Sequence, residues 1–156
     1  MKKIVMLALA LFCLGFFSAC GGEDTSAKNF DTVAEEFTEA MFAGEYDKAA
    51  AMVHDDFAAD FNAEAVKSCA DGMEAAYGEY EGISGITESS MADFLEATGM
   101  DEQVSADDLD FKVYFEGVSF ADGELGIYFM FDPTERSVCG ITVCGDEERP
   151  DIAEED

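Results

Sequence analysis

Basic side chains are scarce in this chain: 8 Lys and Arg stand against 36 Asp and Glu, for a formal net charge of −28. A surface of that sign repels nucleic acid and anionic head groups at long range, which excludes nucleic-acid binding. His54 is the single histidine, and the five cysteines have no zinc-site spacing, so no zinc set can be assembled. No C-x-x-C pair occurs, and dithiol redox chemistry therefore lacks its usual motif. Carboxylates cluster at Asp55, Asp56 and Asp60, and again at Asp107, Asp108 and Asp110. Neither set has the alternating ligands, turn glycine and terminal Glu of a calcium loop, so no metal and no cofactor is expected. No apolar run reaches the roughly 20 residues that a membrane-crossing helix needs.

What is present starts with Lys2 and Lys3, followed by an apolar stretch from Ile4 to Phe17 and small residues at Ser18 and Ala19, just before Cys20. Charge, then a short apolar run, then small residues is the order of an export signal. Phe17-Ser18-Ala19-Cys20 resembles the bacterial lipobox, with Phe17 in place of the usual aliphatic residue. The resemblance implies a lipoprotein signal peptide over 1–19, lipidation of Cys20 and an extracytoplasmic chain anchored to the bacterial cell membrane. An ordinary secretory signal cleaved nearby is the alternative. Two or three acyl chains hold far better than one, since each buried methylene contributes about 0.8 kcal/mol. Residues 20–28 then form a lipidated flexible tether, whose last eight residues span at most about 28 Å. At the other end, 146–156 is almost free of apolar residues and reads as a disordered acidic tail.

The stretch between, 29–145, is enough for one domain with a core. Asp31 opens a helix in which Val33, Phe37, Ala40 and Met41 recur at helical spacing, and Gly44 stops it. A second helix starts near Tyr46 and runs toward Phe57. Asn62 opens a third, which places Val66, Cys69, Ala70, Met73 and Tyr77 on one face and ends at Gly78. Tyr80 to Ile86 reads as a short strand. Ser89 to Thr98 reads as a short helix with Met91, Phe94 and Leu95 on one side and Gly99 as its stop.

The rest is β. Phe111, Val113 and Phe115 alternate with Lys112, Tyr114 and Glu116; a turn at Ala121-Asp122-Gly123 leads to Leu125, Ile127, Phe129 and Phe131; a last strand covers Ser137 to Cys144. Tyr128 and Met130 make the second of these strands apolar on both faces. One face is expected to meet the helices and the other a second subunit or the inserted helix, which makes a homodimer one expectation.

Helices followed by an antiparallel sheet is an α+β pattern. The run from Glu36 through Gly44-Glu45-Tyr46 to Ala50, then Phe57, and later Tyr77-Gly78 entering a strand, resembles the cone-shaped domains of the nuclear transport factor 2-like superfamily. More narrowly, it is similar to a domain-of-unknown-function family of bacterial lipoproteins. The resemblance implies three N-terminal helices packed on a curved antiparallel sheet, with an apolar pocket at the open end. An insertion at about 88–109 departs from that pattern and would cap or fill the pocket. The pocket walls would come from Phe37, Met41, Met73, Tyr77, Phe111, Val113, Phe115, Ile127 and Phe129, with plain core as the competing role for the same side chains. Some members of the superfamily are isomerases, but their catalytic motif does not map onto these residues.

For the cysteines left after processing, three arrangements stay open: Cys69 to Cys139, favoured because both face apolar neighbours; Cys139 to Cys144, if Gly140 bends the strand; or three unbridged buried thiols. The function expected is a non-catalytic binding or interaction module taking a small apolar or cationic ligand. Its rivals are a pocket enzyme of isomerase or hydrolase type using His54 or an aspartate, and a dimeric structural adaptor at the envelope.

Overall fold

The computed structural model describes residue 25, residues 28–99 and residues 110–144. Cys20, the export signal, the acidic tail and 100–109 of the insertion lie outside the described residues. Helix α1 covers Phe30–Phe42. Its N-cap position is Asn29, so Asp31 stands inside the first turn, near the positive end of the helix dipole, rather than at the cap. Val33, Ala34, Phe37, Thr38, Ala40 and Met41 form its buried stripe. At the other end the chain reverses through Gly44 at φ +77, a left-handed conformation that glycine adopts without cost, and the Glu45 N–H donates back to the Ala40 carbonyl at 2.8 Å.

Helix α2 is only Tyr46–Ala50, shorter than the expected run toward Phe57. The chain beyond it is captured by the last strand. Val138 donates to the Met52 carbonyl at 2.9 Å and accepts from the His54 N–H at 2.9 Å, a parallel bridge centred on Val53. Helix α3 spans Ala63–Tyr77, and the Asn62 carboxamide oxygen accepts from the N–H groups of Glu64 (3.0 Å) and Ala65 (3.2 Å). Two of the four orphan donors at that helix end are thereby satisfied.

Four strands follow in a simple antiparallel meander of order β1-β2-β3-β4: β1 Tyr80–Ser89, β2 Lys112–Phe120, β3 Gly123–Phe131 and β4 Val138–Cys144. Between β1 and β2 sits α4, Met91–Thr98, closed at its start by a reciprocal capping box of Ser90 and Asp93 and at its end by Gly99. The expected turn at Ala121-Asp122-Gly123 and helix stop at Gly78 are one contact. The Asp122 N–H donates to the Tyr77 carbonyl at 2.9 Å, and a Cβ on Gly78 would stand 2.9 Å from the Asp122 carboxylate.

The sheet has two apolar faces. Against α1, α2 and α3 it presents Val118 and Phe120 of β2, Leu125, Ile127, Phe129 and Phe131 of β3, and Val138 of β4. Phe37 of α1 meets Phe129 edge-on, with ring centres 5.7 Å apart. Against α4 it presents Val113, Phe115, Tyr128 and Cys144, which pack on Phe94 and Leu95. The inserted helix, one of the two covers expected for the second face, packs on it. The architecture is α+β with an antiparallel sheet.

The tether assigned to 20–28 is held down near its end. Thr25 is buried and its hydroxyl donates to the Glu135 carbonyl at 2.8 Å, while Lys28 pairs with Glu36 and accepts from Arg136 through its backbone carbonyl.

Candidate functional site

The nine side chains expected to line one pocket do not come together. Phe37, Met41, Met73, Ile127 and Phe129 are interior to the helix-facing core, and Tyr77 packs at its edge. Val113 and Phe115 belong to the opposite face, under α4, and Phe111 lies just ahead of β2, half-buried. The division follows from strand alternation: Phe115 pairs with Tyr128 and Glu116 with Ile127, so consecutive residues serve different faces. Apart from Phe111, these side chains are packed as core, on one face of the sheet or the other.

An open hollow of about 440 Å³ lies elsewhere, between α1 and the start of β1. Glu35, Glu39, Phe42 and Ala43 form one wall; Tyr80, Glu81, Gly82 and Ile83 form the other. The spacing of Glu35, Glu39 and Phe42 puts all three on one stripe of α1. Phe42 and Tyr80, one from each wall, are stacked, with ring centres 4.3 Å apart and planes inclined by 8°. Every charged residue lining it is a carboxylate.

Behind this groove stands Glu116, in the middle of β2. It is 0 % exposed, and neither carboxyl oxygen has a hydrogen-bond partner among the described residues. Burial pushes its carboxyl up to about 8. The facing Thr38 hydroxyl of α1 works against that shift without completing a hydrogen bond of normal geometry, and Glu35 and Glu39 reinforce it. A carboxyl so placed holds its proton at neutral pH. The same neighbourhood acts on Tyr80, whose phenol is pushed up to about 12 by burial first, then by Glu116, Glu39 and Glu35. Three elements, α1, β1 and β2, thus bring three carboxyls and a phenol into one electrostatic unit.

Sequence reasoning missed Glu116 by grouping Val113 and Phe115 with Phe37, Ile127 and Phe129 as walls of one pocket. The available signal was the parity of Val118 and Phe120, which share its face and are as apolar as the residues opposite.

His54 lies away from the groove, beside the start of β4. Its Nδ1 accepts from the Asp56 N–H at 3.2 Å, and its Nε2 is 3.6 Å from a Glu135 carboxylate oxygen. Nearby, Asp132 accepts from the N–H groups of Thr134 (2.8 Å) and Glu135 (2.6 Å), bonds that hold its carboxyl below the ordinary value. These contacts join the imidazole to the turn between β3 and β4.

The favoured bridge is not formed: Cys69 and Cys139 are both free thiols. Cys139 occupies an irregularity in the β3–β4 ladder, where Met130 pairs with Gly140 but Phe131 pairs with Val138, so the simple alternation that would have aimed it at α3 is broken. Burial pushes its thiol up to about 11 and raises that of Cys69 as well. Cys144 sits on the other face and donates weakly to the Gly126 carbonyl at 3.6 Å. No group of three or more metal-ligating side chains occurs among the described residues, and none of their helices is long and apolar enough to cross a membrane. Asp107 and Asp108 lie outside the described residues.

No family model, no curated protein and no solved structure matches the chain.

Proposed function

We propose that the protein is a lipid-anchored, extracytoplasmic binding module of nuclear transport factor 2-like kind, whose ligand surface is the α1–β1 groove and whose ligand is a small organic cation. The observation that carries this reading is the groove's composition: Glu35, Glu39 and Glu81 on its walls, together with the stacked Phe42–Tyr80 pair. Carboxylates supply attraction and hydrogen-bond acceptors for an ammonium group, and aromatic rings offer apolar contact to its alkyl part. The strongly acidic chain adds a field that concentrates cations near the surface. Anchoring through Cys20 would set this surface outside the cell.

A non-catalytic role agrees with the groove's chemistry, because its walls hold acids and a phenol that resists ionisation, and no nucleophile beside a base. A homodimer through the second sheet face has less to recommend it, since α4 covers that face.

The test is a titration of the ¹⁵N-labelled full chain in neutral detergent with cadaverine. Saturable shifts are expected at Glu35, Glu39, Phe42 and Gly82, and Glu35→Gln with Glu39→Gln together should weaken binding at least tenfold. A control pair on the exposed side of α3, Glu64→Gln with Glu74→Gln, should leave it unchanged. Equal loss from both pairs would mean general charge attraction and would remove the groove from consideration.

A further inference from the structure

Resting on that reading of the groove, we infer that the ligand is an alkylammonium ion whose binding at neutral pH expels the proton of Glu116, so that the buried carboxylate becomes an additional negative charge of the occupied site. Three observations meet in it. Glu116 is fully buried with both oxygens unpartnered among the described residues, an expensive state for any polar group and one that a core position does not require. It lies against the groove's own wall: the Thr38 it faces is on α1 between Glu35 and Glu39, and those two groove carboxylates act on it directly. Finally, the groove wall feels it in return, since Glu116 is the foremost charge acting on Tyr80.

The titratable and charged groups that face Glu116 are Glu35 and Glu39 from α1 and Tyr80 from β1. Its partners in the ladder, Ile86 on β1 and Ile127 on β3, are apolar. On its own strand, Tyr114 is shifted by burial first, then by Glu88 and Asp31, with Lys112 and Arg136 opposing. No basic side chain is among the charges that act on Glu116 or Tyr80. Ionisation of Glu116 is therefore opposed by burial and by like charge together, and an external cation is the missing counter-charge. When an ammonium ion enters the groove, the O–H bond of the Glu116 carboxyl breaks, the electron pair stays on oxygen and the proton passes to solvent. The step is R-NH₃⁺ plus carboxylic acid going to bound R-NH₃⁺, carboxylate and H⁺. The cation acts across the groove wall, through a low-dielectric interior where charges couple strongly.

Such linkage makes binding tighten as pH rises. Below the point where bound Glu116 ionises, the cation must do without the buried charge; above the point where the free protein already ionises, that charge is in place beforehand. A downward displacement of one unit or more on binding corresponds to an affinity increase of about tenfold between pH 6 and pH 9. An alkylammonium probe keeps its own charge through that range.

The experiment follows the side-chain carboxyl ¹³C resonance of Glu116, assigned by Glu116→Gln, in the full chain in neutral detergent with and without cadaverine. The expected result is a titration midpoint near 8 alone, falling by at least one unit at saturation, with about 0.4 proton or more released at pH 7 by calorimetry in two buffers of different ionisation enthalpy. In Glu116→Gln, binding should persist with no proton release and a flat pH dependence. Saturable binding that leaves the Glu116 midpoint in place, or an unchanged pH slope in Glu116→Gln, would overturn the proton linkage and spare the groove. Failure of cadaverine to bind, or indifference to Glu35→Gln with Glu39→Gln, would overturn the groove reading and the linkage with it.

Discussion

Glu116 of β2 faces Thr38 of α1 across the helix–sheet interface, both fully buried, and the side-chain oxygens of both lack a hydrogen-bond partner among the described residues. Two polar groups meet in a layer that Phe37, Met41, Val118 and Ile127 otherwise make apolar. The pair sets the first prediction, because a buried carboxyl that must stay protonated ties folding to pH.

The ordinary carboxyl value for Glu116 is 4.5 and the folded value about 8. As pH rises, the unfolded chain releases this proton first, so the stabilising influence is complete below about 4.5, declines through the interval and is gone above about 8. The loss amounts to about 4 kcal/mol by pH 8, at 1.36 kcal/mol for each unit of displacement. Glu116→Gln should therefore unfold at higher denaturant than the parent at pH 8 and at nearly the same denaturant at pH 4.5. Urea unfolding at the two pH values checks this. A variant less stable at both would contradict it.

Gly126 of β3 makes room for the Phe115 ring on the second sheet face. A Cβ there would stand 2.3 and 2.5 Å from ring carbons of Phe115 and 2.8 Å from Sγ of Cys144, distances that require movement. Gly126→Ala should cost about 1–3 kcal/mol, the usual range for overpacking. Adding Phe115→Leu should recover part of that loss in denaturant unfolding, since the clash is with the ring. Additive losses in the double variant would refute the contact as the cause.

Cys69 and Cys139 should both be alkylated by iodoacetamide after denaturation without reductant, each giving a single mass adduct in its peptide. In the native protein Cys139 should react far more slowly than a free thiol, because burial keeps it protonated and out of reach. A disulfide-linked peptide pair from the oxidised protein would rule this out.

Cys20→Ser should move the protein from the membrane fraction to the soluble one, since no described helix can cross a bilayer and the lipid chains would be the hold. Continued sedimentation with membranes would remove the anchor from the proposal.

Local signals in the sequence were read well where a single residue type carries the physics. Asn62 caps α3, and Gly44, Gly78 and Gly99 end their helices with positive φ. The four strands and the turn at Asp122 were legible from alternation and turn residues, and so was the α+β class. The candidate site was legible hardly at all. Glu35 and Glu39 look like any pair on a solvated acidic helix until β1 is laid beside them, and Tyr80 looks like an ordinary strand residue until it stacks on Phe42.

The one-residue patterns of the sequence determined where helices and strands start and stop, because capping and turn chemistry act within three or four residues. Which face of β2 turns inward is a different kind of question, since both faces are apolar and alternation alone cannot rank them. Only the docking of α1 on one side and α4 on the other decided it, placing Phe115 under α4 and Glu116 against Thr38. The bulge that withdraws Cys139 from Cys69, and the groove that gathers Glu35, Glu39 and Tyr80, likewise depend on contacts between segments dozens of residues apart.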